Sequence, residues 1–72
     1  MLEDIKRDIA EKGYSEVMTV GLANLCFRST NEKSSQQQLD EWCKVNGYMY
    51  EVFDSKDGRN RSCQWLRFFL QR

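Results

Sequence analysis

The side chains best suited to covalent or metal chemistry are three thiols, Cys26, Cys43 and Cys63. No two of them form a C-x-x-C pair, and the chain of 72 residues has no histidine. A Cys/His zinc site is therefore impossible, and a three-thiolate site is disfavoured. Each cysteine lies among apolar residues, which is typical of packed, reduced thiols in an intracellular protein. We expect no metal and no cofactor.

The placement of the glycines and the lack of histidine also argue against catalysis. The four glycines are isolated from one another and form no phosphate-binding loop. A cysteine nucleophile needs an adjacent base, and no histidine is present to act as one. The sequence therefore predicts a binding domain and not an enzyme.

Composition and charge narrow the class of protein further. Hydrophobic residues make up 40% and charged residues 31% of the chain, which predicts one small globular domain over residues 1–72. Eleven basic residues balance eleven acidic ones, whereas a dedicated polyanion binder is usually basic overall. No apolar run is long enough to span a membrane, and the acidic start at residues 1–4 is unlike a signal peptide. We expect a cytoplasmic or nuclear protein.

The first half of the chain predicts a helix followed by an ambiguous segment. Leu2, Ile5 and Ile9 mark one face of a helix, and Gly13 is a natural stop for it. Two structures fit the segment that follows, Val17–Ser29.

Two interpretations of Val17–Ser29 remain open. Residues 17–20 favour a short strand, whereas Leu22, Leu25 and Cys26 have the spacing of one helix face. We expect a short strand that runs into a two-turn helix. The alternative is a single strand over Val17–Ser29.

The second half predicts a helix and a hairpin. The helix begins within residues 31–34 and ends at Asn46–Gly47. A strand follows at Tyr48–Phe53, then a polar loop, Asp54–Arg61, and a returning strand at Ser62–Leu70, for which a short terminal helix is the alternative. The expected core contains Leu22, Leu25, Leu39, Trp42, Tyr50 and Val52.

This order of elements resembles the winged helix-turn-helix family. Residues 18–25 (MTVGLANL) are similar to the family's strand entering its second helix, and residues 34–45 to its third, recognition helix. Residues 39–50 (LDEWCKVNGYMY) resemble the run from that helix into the wing, and residues 54–61 the wing tip. The resemblance covers nearly the whole chain and implies a small α+β fold of three helices and a β-hairpin wing. The family includes DNA readers, RNA binders and protein-interaction modules, so the fold alone does not decide function.

The resemblance gives a set of candidate DNA contacts. With Leu39, Trp42 and Cys43 inward, helical geometry places the serines and glutamines at the helix start outward. Gln can bond an adenine edge and Ser several bases or a phosphate, while the nearby cations suit phosphates. The alternatives are a solvated helix start and an ordinary charged loop, and Glu41 would repel phosphate. The predicted DNA-binding residues are Arg28, Lys33, Ser34, Gln37, Gln38, Lys56, Arg59 and Arg61.

The last predicted strand has apolar residues on both faces. Strand geometry sets Trp65, Arg67 and Phe69 on one face and Leu66, Phe68 and Leu70 on the other. One helical layer covers only one face, so the other indicates a dimer or a contact with a larger assembly. The alternative is that both faces are covered. The predicted protein interface consists of Trp65, Phe68, Phe69 and Leu70.

The sequence thus favours a winged-helix domain that binds double-stranded DNA, in transcription regulation or as a replication module. The alternative is a winged-helix or small α/β protein–protein interaction module. A phage- or plasmid-type inhibitor of a host protein is a further alternative if Val17–Ser29 forms one strand.

Overall fold

The computed structural model describes residues 1–71, and the predicted small α+β fold is confirmed for them. Three helices and three strands occupy this part of the chain: α1 (Leu2–Lys12), β1 (Tyr14–Met18), α2 (Thr19–Leu25), α3 (Ser35–Asn46), β2 (Tyr48–Lys56) and β3 (Ser62–Leu70). None of the described helices is both long and apolar enough to cross a membrane.

Glycines end the two longer helices, as predicted. Gly13 follows α1 at φ 89°, and its N–H donates to the carbonyl of Ile9 at 2.9 Å. Gly47 follows α3 at φ 73°. Because side chains rarely tolerate positive φ, glycine is the residue that can end a helix in this way.

The ambiguous segment is a strand followed by a helix, so the single-strand alternative over Val17–Ser29 is wrong. β1 ends at Met18 and α2 begins at Thr19. The helical turn buries Leu22 in the core, where it is 1% exposed. Tertiary burial therefore outweighs the strand preference of the β-branched residues.

The three strands form one antiparallel sheet in the order β1-β3-β2. The central strand is β3, whose Trp65 lies opposite Met18 on one side and Phe53 on the other. All three helices pack against one face of this sheet, because their buried residues share a cluster with Leu66 and Phe68 of β3. We call this the covered face and the opposite one the outer face.

The hairpin between β2 and β3 turns at the predicted Asp57-Gly58 position. β3 has the predicted bounds, whereas β2 is longer and the loop shorter than expected. The Asp57 carboxylate accepts from the N–H groups of Arg59 and Arg61 at 2.8 and 2.9 Å. Asn60, at φ 62°, takes the left-handed conformation in this loop. Asx hydrogen bonding thus fixes a compact tip.

The core differs from the predicted one at two positions. Leu22 and Leu39 are buried, whereas Leu25 is 72% and Val52 is 53% exposed. The chain leaves α2 after Leu25, and Phe27 turns inward instead. Val52 lies on the covered face but beyond the close packing of the helices. The buried core consists of Ile5, Ile9, Leu22, Phe27, Leu39, Cys43, Leu66 and Phe68, with Trp42 and Tyr50 packed half-buried against it.

Candidate functional site

The first turn of α3 presents a polar, exposed surface. Ser34 caps the helix: its hydroxyl accepts from the N–H of Gln37 at 3.1 Å, an arrangement that satisfies one free amide of the first turn. The side chains of Gln36 and Gln37 are exposed. Two neutral amides are therefore available at the start of this helix, and one of them, Gln36, was not among the residues named from the sequence.

Gln38 has a structural position instead of the outward one expected for it. Its Nε2 donates to the carbonyl of Arg28 at 2.6 Å and more weakly to that of Lys33 at 3.5 Å. The side chain is half-buried. Because its amide is committed to these carbonyls, Gln38 anchors the loop between α2 and α3.

That loop is further ordered by a short-range turn. The Thr30 hydroxyl accepts from the N–H of Lys33 at 3.0 Å, and the Thr30 N–H donates to the carbonyl of Lys33 at 2.8 Å. Arg28 lies in the same loop, is exposed and has no salt bridge to any described residue. The loop therefore holds a free guanidinium close to the start of α3.

The acidic side chains of α3 are partly neutralised. Glu41 pairs with Lys33 at 2.7 Å, so Lys33 is not a free cation. Asp40 accepts from the Tyr50 hydroxyl at 2.7 Å. Burial, together with this bond, raises the pKa of Tyr50 to about 12. These contacts restrain both carboxylates on the exposed side of the helix.

The hairpin loop and its flanks carry unpaired positive charge. Lys56, Arg59 and Arg61 are exposed, and none forms a salt bridge within residues 1–71. The nearest acid in the sequence, Asp57, is occupied by backbone N–H groups. The loop therefore presents exposed cations on a backbone tip that is held by hydrogen bonds.

A cleft places the α3 start beside the hairpin. It has a volume of about 210 Å³, and its walls include Ser35 and Gln36 of α3, Val52 of β2 and Gln64 of β3. Thr19 also lines it, and its buried hydroxyl has no hydrogen-bond partner among the described residues. The cleft shows that the polar helix start and the two strands of the hairpin lie side by side.

The cysteines do not form a site. Cys43 is buried, and burial raises the pKa of its thiol to about 11. Cys26 and Cys63 are half-buried rather than buried, and all three are free thiols. Within the described part of the chain, no three Cys, Asp or Glu side chains are placed to hold a metal ion. At neutral pH a thiol with such a raised pKa is a poor nucleophile.

The outer face of the sheet carries side chains in three rows across the strands. Each row takes one residue from β1, one from β3 and one from β2, set by the pairing of the strands. The rows are Tyr14–Phe69–Met49, Glu16–Arg67–Glu51 and Met18–Trp65–Phe53. We call the middle one the charged row and the others the apolar rows.

The charged row is joined by ion pairs. Arg67 binds Glu16 at 2.8 Å and Glu51 at 2.8 Å, and its guanidinium carbon lies 4.8 Å from the centre of the Phe53 ring. The hydrogen bond with Glu16 is the main cause that raises the pKa of Arg67, and the hydrogen bond with Glu51 raises it further. The Phe53 ring in turn stacks on Trp65 at 6.4 Å between centroids.

The predicted protein interface is divided by the fold. Trp65 and Phe69 lie half-buried on the outer face, whereas Phe68 is 0% exposed in the core and is wrongly placed in the predicted interface. Leu70 is 55% exposed, on the covered side of its strand. The two carboxylates that flank Arg67 were missed, because only the pairing of all three strands brings them together.

Comparisons with protein-family models, curated proteins and solved structures found no match for this chain.

Proposed function

We propose that the chain is a winged-helix domain that binds double-stranded DNA, with the start of α3 in the major groove and the hairpin loop at the phosphate backbone. The order of helices and strands supports this proposal, since it is the order on which the family resemblance rests. The sheet adds support, because β1 pairs with the hairpin strand β3 and all three described helices pack on the covered face of the sheet.

One observation carries the proposal: an uncharged, hydrogen-bonding helix start lies beside the strands of a hairpin whose loop carries exposed cations. Gln36 and Gln37 are exposed, and glutamine can bond the N6 and N7 atoms of adenine together. Arg59 and Arg61 at the loop suit phosphate oxygens, which position a protein without reading sequence. Ser34 and Gln38 then act by holding the helix start and the loop in place.

The zero net charge is compatible with DNA binding, because some cations are paired with carboxylates of the chain and others are not. Lys33 and Glu41 neutralise each other at 2.7 Å. Four of the exposed cations that have no salt bridge within the described chain lie in the α2–α3 loop or at the hairpin: Arg28, Lys56, Arg59 and Arg61. A small surplus of local charge favours moderate, strongly salt-dependent binding.

The test is a titration of labelled duplex DNA at several salt concentrations. If those four cations each meet a phosphate, log K should fall against log salt with a slope of roughly −3.6. The double variant Arg59→Gln/Arg61→Gln should weaken binding to all duplexes and flatten the slope by about 1.8. The charge-matched control Arg7→Gln/Lys12→Gln on α1 should leave the slope unchanged.

The recognition of specific DNA bases is tested by the same titration, with a duplex that the protein has selected from a pool of random sequences. Gln37→Ala should cost about 1–3 kcal/mol on that duplex and little on unrelated DNA. No binding to any duplex at low salt, or a salt dependence close to flat, contradicts the proposal.

A second candidate is a winged-helix protein–protein interaction module. It is favoured by the outer face of the sheet, where Tyr14 and Met49 are 44% and 46% exposed. The host-protein inhibitor is not proposed, since its premise, a single strand over Val17–Ser29, is absent.

A further inference from the structure

The outer face of the sheet carries apolar side chains on both sides of a row of charged residues. Its two apolar rows flank the charged row, and no described helix packs over it. Met18 and Met49 are 38% and 46% exposed there. Large apolar side chains that are left exposed together on one face are a feature of contact sites in soluble proteins.

We propose that this face binds a second copy of the chain, with a two-fold axis parallel to the strands and lying between β2 and β3. In such an isologous contact the same surface is used by both copies. The two sheets then stack in the aligned manner of β-sandwiches, with both helical layers outside.

Charge complementarity selects this axis. A two-fold rotation about a line parallel to the strands sets each β2 over β3 of the second copy and keeps every row opposite itself. Glu51 therefore meets Arg67 of the second copy, and the reverse pair forms by symmetry. Two guanidinium groups and two carboxylates balance at the centre of the contact. Glu16, on β1, stays at the solvated rim.

The same rotation matches the apolar rows. Phe53 faces Trp65 of the second copy, and Met49 faces its Phe69. Aromatic–aromatic and sulfur–aromatic contacts of this type are favourable beyond the area that they bury.

Two other symmetric arrangements bring like or unmatched charges together. An axis running along β3 sets Arg67 against its own copy. An axis perpendicular to the strands sets every strand against itself, so Arg67 and Glu51 meet like charges or apolar rings. Such contacts bury the ion pairs of each chain without adding an opposite charge from the second copy, so the desolvation of these charges is not offset. An axis between β1 and β3 also matches charges, but β1 has 5 residues and β2 has 9, so that contact is smaller.

The size of the contact sets its expected strength. Two nine-residue strands cover a flat area of about 300 Å² per copy at ordinary strand spacing. A standard interface buries about 800 Å² per partner, so this contact is small and we expect a weak dimer. We take a Kd on the order of 100 μM, between the micromolar and millimolar range, as the expected value.

The orientation of the axis also determines how a dimer would meet DNA, an inference that rests on the proposed function. Because it is parallel to the strands, both hairpin loops point in the same direction. The two α3 starts beside them would then approach a duplex from one side, as an inverted repeat requires.

Sedimentation velocity of the full chain without DNA tests the dimer independently of DNA binding. We expect the sedimentation coefficient to rise from a monomer value at about 10 μM to a mostly dimeric value at about 1 mM. Met49→Lys places a charge opposite Phe69 of the second copy and should weaken association at least about tenfold. Circular dichroism establishes that this variant is folded.

The matched control is Val52→Lys, which changes an equally exposed residue of the same strand on the covered side. It should dimerise as the unmodified chain does, and Met18→Lys on β1 should have a smaller effect than Met49→Lys. A monomer at about 1 mM, where a dimer with Kd on the order of 100 μM would be mostly formed, overturns the proposal. Equal losses in Met49→Lys and Val52→Lys overturn it too, and a larger loss in Met18→Lys overturns the axis.

Discussion

The covered and outer faces of the sheet come from the same strands but are held in different ways. On β3, Leu66 and Phe68 are 2% and 0% exposed beneath the helices. Their neighbours Trp65, Arg67 and Phe69 are half-buried by cross-strand contacts alone. Successive side chains of β3 point to opposite faces of the sheet, so one strand contributes to the core on one side and to an ordered surface on the other.

The contacts on the two faces differ in energetic character. Phe68 meets the ring of Trp42 edge-on at 5.7 Å and that of Tyr50 at 6.0 Å, and its own side chain has no exposure to water. The side chain of Arg67 is 42% exposed, and ion pairs in such surroundings contribute little to stability. The covered face therefore stabilises the fold, while the outer face is available for recognition.

The sharpest test of this difference is to truncate adjacent aromatic residues of β3. Phe68→Ala should lower the free energy of unfolding by about 3–5 kcal/mol, because it leaves a cavity in a closed core. Phe69→Ala should cost only about 1 kcal/mol, since its ring is partly in water already. Urea unfolding measures both, with Phe68→Leu as the milder core variant if Phe68→Ala does not fold. Equal losses at the two positions would contradict the distinction between the faces.

A smaller effect is expected from alkaline pH, and only through the covered face. Cys43 and Tyr50 have pKa values of about 11 and about 12, above their ordinary values of 9.0 and 10.0, mainly because burial disfavours their anions. Their contribution to stability is therefore complete below pH 9.0 and is lost as the pH rises through 11 to 12.

Urea midpoints measured between about pH 8 and about pH 10.5 should fall as the pH rises. Tyr50→Phe should show a shallower fall, because one of the two titrating groups is gone. An unchanged midpoint across this range would show that neither group is held neutral by the fold.

The smallest effect should follow from removing the centre of the charged row. Arg67→Met should lower the thermal unfolding midpoint only slightly, and high salt should reduce the difference, because its ion pairs are exposed to solvent. Thermal unfolding at low and high salt measures this. A fall in the midpoint as large as that of Phe68→Ala would mean that the outer face is part of the structural core.

Local signals account for the parts of the fold that were predicted from sequence. Gly13 and Gly47 end helices because few other residues accept positive φ, and Asp57-Gly58 marks the hairpin. The inward face of α3, with Leu39 and Cys43 buried, followed from helical spacing.

The expectations that failed depend on neighbours remote in sequence. Leu25 has the right spacing for a core residue, but the chain turns after it and Phe27 occupies the core instead. Gln38 seemed free on the helix surface by spacing alone, yet it binds the carbonyl of Arg28, ten residues earlier. In both cases the path of a loop decides the outcome, and loop paths have no periodicity.

The sequence by itself determined the order of the elements, the ends of the longer helices and the alternation of β3. It did not determine which side of β3 the helices cover, because both sides carry large apolar residues. Nor did it reveal that Arg67 lies between Glu16 and Glu51, which are 51 and 16 residues away from it in the chain. Only the tertiary structure decided these points, since strand register depends on how all three strands bury one face together.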